Sequence, residues 1–464
     1  MNSTEMLISY VTSVQYEDLP HEVVVVAKRS IMNTLGAILG GSGAPGVREI
    51  AALIKEYGGK PESTVYLYDC KVPAHEAVIV NASMPRAIEF DDIHLKTGLH
   101  PFSVVVPVAL AAAESCGGVT GKEMITAVVL GVEVLCRMRS VPDFCVGLSG
   151  WSGEVYGAFG STITAGRIFG LTREKMGHAL GLASIQASGT AQALFESTLT
   201  YRLQQGFSAR AGLFSATLAK DGMTGPQDFL EGRGGFYPVY YRGIGYDLNR
   251  LIQGLGERYE ALNIVTKAYP CCGFLMTPIE NVIDLMQKNR LQRKDISKVL
   301  VRVNQQMYNV VCAPPEVKYR PQKISDAIYS LPYAIGTAVL KGAPSLEDFS
   351  LESIKDPERL KIVDMVESNV DEDIERKSKE LDLTLSLNKI ELKTKRGECF
   401  SQETYYAKGF PQNPMTMRDC TLKAKKCAAF AVKQFPESTV EELGEIVENL
   451  EKEENTLSLT KLLY

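Results

Sequence analysis

Apolar residues recur at intervals of three and four through most of the first 265 positions, which is the spacing of one face of an α-helix. In residues 22–39 this spacing runs from Val24 to Ile38, and the Gly40-Gly41 pair predicts the end of that helix. Further segments rich in alanine, glycine and aliphatic residues predict closely packed helices at 104–114, 121–134, 161–168 and 173–184. Thr120 and Thr172 precede the second and fourth of these segments, where their hydroxyls can cap the first turn.

The pattern changes near residue 265. Alternating apolar and polar side chains predict β-strands at 298–303, 381–387 and 389–393, with a helix at 325–340 after the first strand. The charged amphipathic segment 418–450 then predicts a return to helix that packs back on the first domain. We therefore predict a mainly α protein, with a large helical-bundle domain at 1–265 completed by 404–464 and a smaller α+β domain at 266–403.

Composition narrows the classes of function. With 464 residues, of which 45% are hydrophobic, the chain can bury a large core and form two domains. The 50 basic and 55 acidic residues are interspersed and leave a net charge of −5, so no basic surface indicates nucleic-acid binding. No apolar run approaches the length that crosses a bilayer, and the first residues lack the pattern of a secretory signal peptide. We therefore expect a cytoplasmic protein without a membrane segment.

The ten cysteines and five histidines show neither CxxC nor HExxH spacing, so the sequence predicts reduced thiols and no zinc or iron–sulfur site. The densest polar cluster is the segment 89–101, where three carboxylates and two histidines precede an apolar helix. Carboxylates beside histidines can bring pKa values into the range of general acid–base catalysis. The alternative is a helix end followed by a solvated loop, and composition alone favours neither interpretation.

Three other segments carry candidate chemistry. Lys267 stands before a proline turn at the predicted domain boundary, where it either reaches into a cleft or lies on the surface; the adjacent Cys271-Cys272 pair is expected to be buried rather than reactive. The glycine-rich segment 150–160 holds the sole tryptophan and suits either a ligand or close helix packing. Tyr201 and Arg202, within 198–206, either bind an anion or lie on the surface.

Four motifs, in order, resemble those of the MmgE/PrpD family. The early helix contains a segment similar to the family's DTLG opening, and residues 90–107 resemble its FDDTH, HPS and proline series. Residues 267–272 (KAYPCC) resemble KPYPCC, and residues 330–334 (SLPYA) resemble part of FSLPYA. Known members include 2-methylcitrate dehydratase, cis-aconitate decarboxylase and iminodisuccinate epimerase. The resemblance spans nearly the whole chain.

The resemblance implies a large helical domain and an α+β lid domain, a homodimer, and a small-molecule substrate bound without metal or other cofactor. It also implies that the reaction begins at an acidic C–H beside a carboxylate, or ends by protonating such a carbon. The catalytic residues that it implies are His100, Asp92, Glu89, Lys267 and Tyr308. The substrate-binding positions that we predict are Asp91, His94, Ser152, Tyr201, Arg202 and Gln204.

Several positions depart from the family pattern. A threonine of the family is Ile93 here and an aspartate is Glu89, while a histidine falls on Ser152. In the TKRLH segment a lysine becomes Tyr201 and a histidine becomes Gln204. Each lost charged contact in a closed site would cost about 1.5–3 kcal/mol, so the sequence predicts a substrate with fewer charges than methylcitrate.

The leading hypothesis is therefore a lyase or isomerase that dehydrates, decarboxylates or epimerises a small carboxylate. His100 would move the proton, Asp92 or Glu89 would orient it, and Lys267 and Tyr308 would stabilise the carboxylate or the developing enolate. One alternative is an isomerase or cyclase acting on a less polar substrate, charged or uncharged. The other is a binding protein of the same fold that has lost catalysis.

Overall fold

The computed structural model describes residues 2–143, 150–196, 198–383 and 385–464. The chain divides into two compact units, of which the first comprises Met1–Val265 and Thr416–Tyr464 and the second Thr266–Met415. The boundary at residue 403 that the sequence predicts lies too early. Residues 404–415 belong to the second unit, where the Lys408 N–H donates to Glu280 and the Gly409 carbonyl accepts from the Thr266 N–H.

The first unit is built almost entirely from helices. Up to residue 265 they are α1 Ser3–Ser13, α2 His21–Gly41, α3 Val47–Tyr57, α4 Ala74–Arg86, α5 Pro101–Ser115, α6 Gly121–Ser140, α7 Gly157–Ile168, α8 Arg173–Ser184, α9 Gln192–Phe195, α10 Thr200–Lys220, α11 Phe236–Tyr240 and α12 Asn249–Ile252. Short strands β1 Ser63–Val65 and β2 Cys70–Val72 pair with each other, as do β3 Asp92–His94 and β4 Ile264–Thr266.

The second unit combines helices with a sheet. Its elements are α13 Met276–Lys288, β5 Ile296–Val303, α14 Gln305–Met307, α15 Pro315–Tyr319, α16 Ile324–Ile328, α17 Leu331–Lys341, α18 Pro357–Val363, β6 Val366–Val370, α19 Glu372–Glu380, β7 Asn388–Thr394 and β8 Cys399–Thr404. The strand order in the sheet is β6-β5-β7-β8, and the β5–β6 pair is parallel whereas the other pairs are antiparallel. The chain then returns to the first unit through α20 Met417–Ala428, α21 Glu437–Glu448 and α22 Leu457–Leu462. The prediction of a mainly α protein with a smaller α+β part is confirmed.

Small residues let the central helices of the first unit approach each other closely. A Cβ on Gly131 of α6 would collide with the Thr164 hydroxyl of α7, and a Cβ on Gly160 would lie 2.8 Å from the Gly131 carbonyl oxygen. Helix α5, which follows the polar cluster, has every residue from Pro101 to Ala113 buried. The polar cluster is therefore attached to a buried helix.

Helix α2 corrects the expectation about apolar runs. By length and composition alone it could cross a membrane, but 83% of its most apolar stretch is buried inside the protein. A core helix of a folded domain passes the same test, because burial on all sides also selects apolar residues.

Three predicted elements differ from the structure. The described residues of 381–387 form turns rather than a strand, because α19 ends at Glu380 and Asp382 adopts a positive φ of 54°. The alternating leucines Leu383 and Leu387 instead pack on Ile374. The helix predicted at 325–340 is broken before α17, where the Ser330 hydroxyl caps the new helix. The segment 418–450 is likewise interrupted, between α20 and α21.

Candidate active site

The polar cluster lies in a reversal of the chain between α4 and α5. Strand β3 leads into a turn in which Gly98 has a φ of 67°, a conformation that favours glycine. The turn is closed by the His94 N–H, which donates to the Leu99 carbonyl at 2.8 Å. Pro101 then begins α5, where its fixed φ suits the first helical turn. His100 is therefore held at the N-terminus of a buried helix.

The imidazole of His100 is fixed by two acceptors on one ring nitrogen. Its Nδ1 lies 2.9 Å from a carboxylate oxygen of Asp91 and 2.6 Å from the backbone carbonyl oxygen of Asp92. Because both partners are acceptors, Nδ1 carries the proton, which leaves the lone pair of the neutral ring on Nε2. His100 is 7% exposed and Asp91 is fully buried, so solvent does little to screen their interaction.

Asp92 turns its carboxylate toward the start of α5 rather than toward His100. It accepts hydrogen bonds from the Phe102 N–H at 3.2 Å and from the Ser103 hydroxyl at 3.4 Å. The Ser103 hydroxyl also lies 3.0 Å from Asp91, so it links the two carboxylates. Burial and the neighbouring charge of Asp91 raise the pKa of Asp92 to about 6, against the opposing effects of His100 and the Phe102 N–H.

His94, predicted to bind substrate, is instead fully buried within the protein. Its Nδ1 accepts the Thr97 N–H at 3.2 Å, which places the ring proton on Nε2, 3.2 Å from Glu260. Burial alone would raise the pKa of Glu260, but the hydrogen bond from His94 and the charge of Arg137 lower it to about 2. These contacts hold His94 within the protein, and its predicted role in substrate binding stays a prediction.

Glu89, predicted to be catalytic, forms a buried ion pair with Arg86 at the end of α4. It adopts a positive φ of 51°, which lets the chain turn sharply before β3. Arg86 also lies 5.6 Å from the centre of the Tyr201 ring, on α10. Asp91 is the carboxylate that the structure places against His100 Nδ1, and the catalytic roles of Glu89 and Asp92 stay predictions.

Neither Glu154 nor Arg86 was singled out in the sequence analysis. Burial raises the pKa of Glu154, against the charges of His100 and Arg86, so the Glu154 carboxylate lies within electrostatic reach of both. It belongs to the segment 150–160, in which only the tryptophan and the glycines attracted attention. Arg86 is the last residue of the buried helix α4. An arginine at the end of an otherwise apolar helix was the sequence feature that could have indicated a buried charge.

The substituted positions of the family pattern form their own contacts. The Ser152 hydroxyl donates to the Gln204 side-chain oxygen at 2.9 Å, and the Gln204 amide donates to the Thr190 carbonyl at 2.7 Å. Arg202 donates to the Pro45 carbonyl at 2.7 Å. The Tyr201 hydroxyl is buried and has no hydrogen-bond partner among the described residues. Of these four predicted substrate-binding residues, Tyr201 and Arg202 each keep a buried polar atom, the Tyr201 hydroxyl and the Arg202 Nε, without a hydrogen-bond partner among the described residues.

Lys267 and Tyr308 lie in the second unit. Lys267 is fully buried directly after β4. Burial and Cys272 raise the pKa of the Cys271 thiol well above its usual range despite the charge of Lys267, so neither sequence pattern nor environment favours a reactive thiolate there. Tyr308 is half-buried and begins a π-helix at Tyr308–Cys312. The catalytic roles of both residues stay predictions.

Within the described residues, no group of three or more His, Cys, Asp or Glu side chains is arranged to hold a metal ion. The described cysteines are all free thiols, and Cys145 lies outside the described residues. The site places an imidazole beside a buried carboxylate, an arrangement that is suited to proton transfer.

Comparison with known proteins places this geometry in a family. The family model of the MmgE/PrpD N-terminal domain matches residues 5–249, and that of the MmgE/PrpD C-terminal domain matches residues 269–452. The cis-aconitate decarboxylase-like protein oryM of Aspergillus oryzae (strain ATCC 42149 / RIB 40) is 32% identical over 301 residues, which are 62% of this chain and 62% of that protein.

Two further relatives carry the name cis-aconitate decarboxylase. The protein of Aspergillus terreus (strain NIH 2624 / FGSC A1156) is 28% identical over 65% of this chain and 64% of its own length. The protein of Mus musculus is 25% identical over 99% of this chain and 93% of its own length. The match thus spans less than two thirds of the fungal relatives, and these relatives support a lyase-type enzyme. With both domain models matched in order along one sequence, the chain belongs to the MmgE/PrpD family.

Proposed function

We propose that this protein is a lyase that moves a proton at the carbon beside a carboxylate of a small substrate, with His100 as the acid–base group. The observation that carries the proposal is the anchoring of His100 Nδ1 by the Asp91 carboxylate and the Asp92 carbonyl oxygen. This anchoring leaves Nε2 as the ring atom that accepts or delivers a proton.

Asp91 supplies the charge that the reaction needs. When Nε2 takes a proton the ring becomes a cation, and the buried Asp91 carboxylate 2.9 Å away stabilises it. A charge-assisted hydrogen bond of this kind is about twice as strong as a neutral one. The same pair serves the reverse step, because an imidazolium that has formed beside Asp91 can return its proton to a carbanion-like carbon.

Decarboxylation is the reaction that we infer first. The relatives named cis-aconitate decarboxylase support it, although two of those cited are matched over less than two thirds of their length. Loss of CO₂ from a carbon beside a double bond leaves a carbanion-like centre that must be protonated, and His100 with a proton on both nitrogens is suited to that step. In a dehydration, His100 would instead act first as a base and remove a C–H proton from the substrate.

The substrate is expected to carry fewer charges than methylcitrate. Ser152 and Gln204 satisfy each other through a neutral hydrogen bond, so neither presents a cation to a carboxylate. The buried Tyr201 hydroxyl, which has no partner among the described residues, is suited to a neutral oxygen of the substrate. Lys267 is the candidate cation for one carboxylate and Tyr308 the candidate hydrogen-bond donor. The same observations favour an isomerase or cyclase on a less polar substrate as the second candidate.

The test is a substrate panel followed by ¹H NMR. The unmodified protein and the His100→Ala variant are incubated with cis-aconitate, citrate, 2-methylcitrate, iminodisuccinate and simpler mono- and dicarboxylates. A new vinyl signal with release of CO₂, seen with the unmodified protein and absent in the variant, supports the decarboxylase. Epimerisation or cyclisation without CO₂ supports the second candidate. The His178→Ala variant, whose histidine contacts Gly225 outside the site, is the matched control and should keep full activity.

Assembly and location are separate proposals. We infer a cytoplasmic homodimer, which sedimentation equilibrium and cell fractionation test directly. If this protein converts no substrate of the panel but captures a stable macromolecular partner in a pull-down, a binding role is favoured instead.

A further inference from the structure

Two arginines near the end of α6 differ in how their charges are satisfied. Arg137 is fully buried, is paired with Glu133, and donates to the carbonyls of Leu251, Gln253, Gly254 and Arg258. Arg139, two positions later, is 6% exposed, and its Nε is buried without a hydrogen-bond partner among the described residues. Arg137 is therefore a structural residue, whereas the role of Arg139 is unaccounted for.

The surroundings of Arg139 do not neutralise it. Its charge opposes the rise that burial causes in the pKa of Tyr156, Tyr237 and Tyr241, so these hydroxyls lie nearby. Tyr156 and Tyr241 hydrogen-bond to each other, and Tyr237 donates to the Met138 carbonyl. Among the described residues no carboxylate forms an ion pair with Arg139. Its position in the last turn of α6 is favourable for a cation, but the end of a helix carries only a fraction of a negative charge and does not replace an ion pair.

Arg139 lines a cavity of about 350 Å³ in the first unit. The other lining residues are Lys96, Thr97, Ser140, Pro142, Asp143 and Arg250. Asp143, the one carboxylate of the lining, lies 2.6 Å from Arg250, whose charge it offsets. Of the cations in this lining, Arg250 is thus paired with Asp143, whereas Arg139 has no ion pair among the described residues; the cavity does not include the predicted catalytic residues.

We propose that this cavity binds a small oxyanion, with Arg139 as the residue that recognises it. A guanidinium presents its N–H groups as a planar fork that fits two oxygens of a phosphate or carboxylate. Burial of a cation costs folding free energy, and an anion that pairs with the guanidinium from the cavity would offset part of that cost. The Thr97 and Ser140 hydroxyls stand in the same lining and can contribute further contacts. This inference goes beyond the proposed function and does not depend on it.

Isothermal titration calorimetry with inorganic phosphate tests the proposal. Titrations at constant ionic strength, set with sodium chloride, should show saturable binding to the unmodified full-length protein. Arg139→Gln should weaken the affinity at least about tenfold, which is the loss expected for a hydrogen bond to a charged group. Arg139→Lys, which keeps the charge and loses the fork, should fall between the two. Succinate in place of phosphate tells whether the site prefers a phosphate group or a carboxylate.

Two controls separate this site from others. Arg210→Gln removes an exposed arginine that is paired with Glu76 and should leave binding unchanged. His100→Ala should also bind phosphate normally, because the cavity is distinct from the predicted active site. Absence of saturable binding to the unmodified protein, or equal affinity in Arg139→Gln, would overturn the proposal. So would severe destabilisation of Arg139→Gln in phosphate-free buffer, since the guanidinium would then have partners within the protein.

Discussion

Replacement of Asp91 by asparagine should slow catalysis by about 10- to 150-fold while the protein stays folded. Asparagine has the same shape, and its side-chain oxygen can still accept the hydrogen bond that His100 Nδ1 now donates over 2.9 Å. What is lost is the negative charge beside the imidazolium that forms in the transition state. A hydrogen bond to a charged group contributes about 1.5–3 kcal/mol, which corresponds to that range of rates.

The adjacent residue provides a matched control. Asp92 contacts His100 only through its backbone carbonyl oxygen, so Asp92→Asn leaves that contact unchanged. Its carboxylate serves the N-terminus of α5, where asparagine is also a good cap. Asp92→Asn should therefore retain most of the kcat of the unmodified protein, although, like Asp91→Asn, it removes one carboxylate charge from the cluster.

The assay is the initial rate with the substrate that the panel identifies. Because Asp91 acts on the transition state, kcat should fall in Asp91→Asn with little change in KM. Circular dichroism and thermal unfolding would confirm that both variants fold. Equal losses in the two variants, or a larger loss in Asp92→Asn, would refute the assignment of Asp91 and restore the interpretation from sequence alone.

Three further predictions concern other parts of the molecule. The pKa of Asp92 is raised from its usual 3.8 to about 6, so the native state binds this proton more tightly than the unfolded chain. The free energy of unfolding should therefore fall as pH rises from about 4 to about 6. In urea titrations at several pH values, Asp92→Asn should show a smaller dependence on pH than the unmodified protein. Arg137→Met should destabilise the protein by about 3–5 kcal/mol in denaturant unfolding, because it leaves Glu133 buried and unpaired; a loss below about 1 kcal/mol would contradict this. Because Lys267 is expected to bind a substrate carboxylate, Lys267→Met should raise KM more than it lowers kcat in steady-state kinetics. Thermal unfolding would show whether the variant folds, and an unchanged KM in a folded variant would contradict this role.

The sequence located most of the helices because a buried face imposes its period directly on the chain. Helices α5 and α6 begin near the predicted positions, and Thr120 caps α6 as expected. The prediction of a strand at 381–387 was wrong because alternating leucines also occur where a turn packs its apolar side chains on one neighbour, here Ile374. A pattern of period two reports which residues are buried and not which backbone conformation buries them.

The candidate site was predictable as a segment but not as a set of contacts. Asp91 and Asp92 are adjacent residues of the same type, so no sequence pattern identifies the one whose carboxylate contacts His100. The ring nitrogens of His94 lie against Thr97 and Glu260, and the second of these contacts joins residues far apart in the sequence, which no local pattern predicts. Glu154 comes from a different part of the chain, and its proximity to His100 depends on tertiary packing that single-residue patterns do not encode.

Deuterium incorporation measures the central claim, that His100 transfers a proton at carbon, more directly than any loss of rate. The reaction would be run in D₂O with the substrate identified by the panel, and the product examined by ¹H NMR and mass spectrometry. We predict that the unmodified protein places one solvent deuteron at a defined carbon of the product, and that folded His100→Ala neither turns over the substrate nor exchanges that position. Equal deuterium incorporation by His100→Ala and the unmodified protein would contradict the account and assign the proton transfer to another residue.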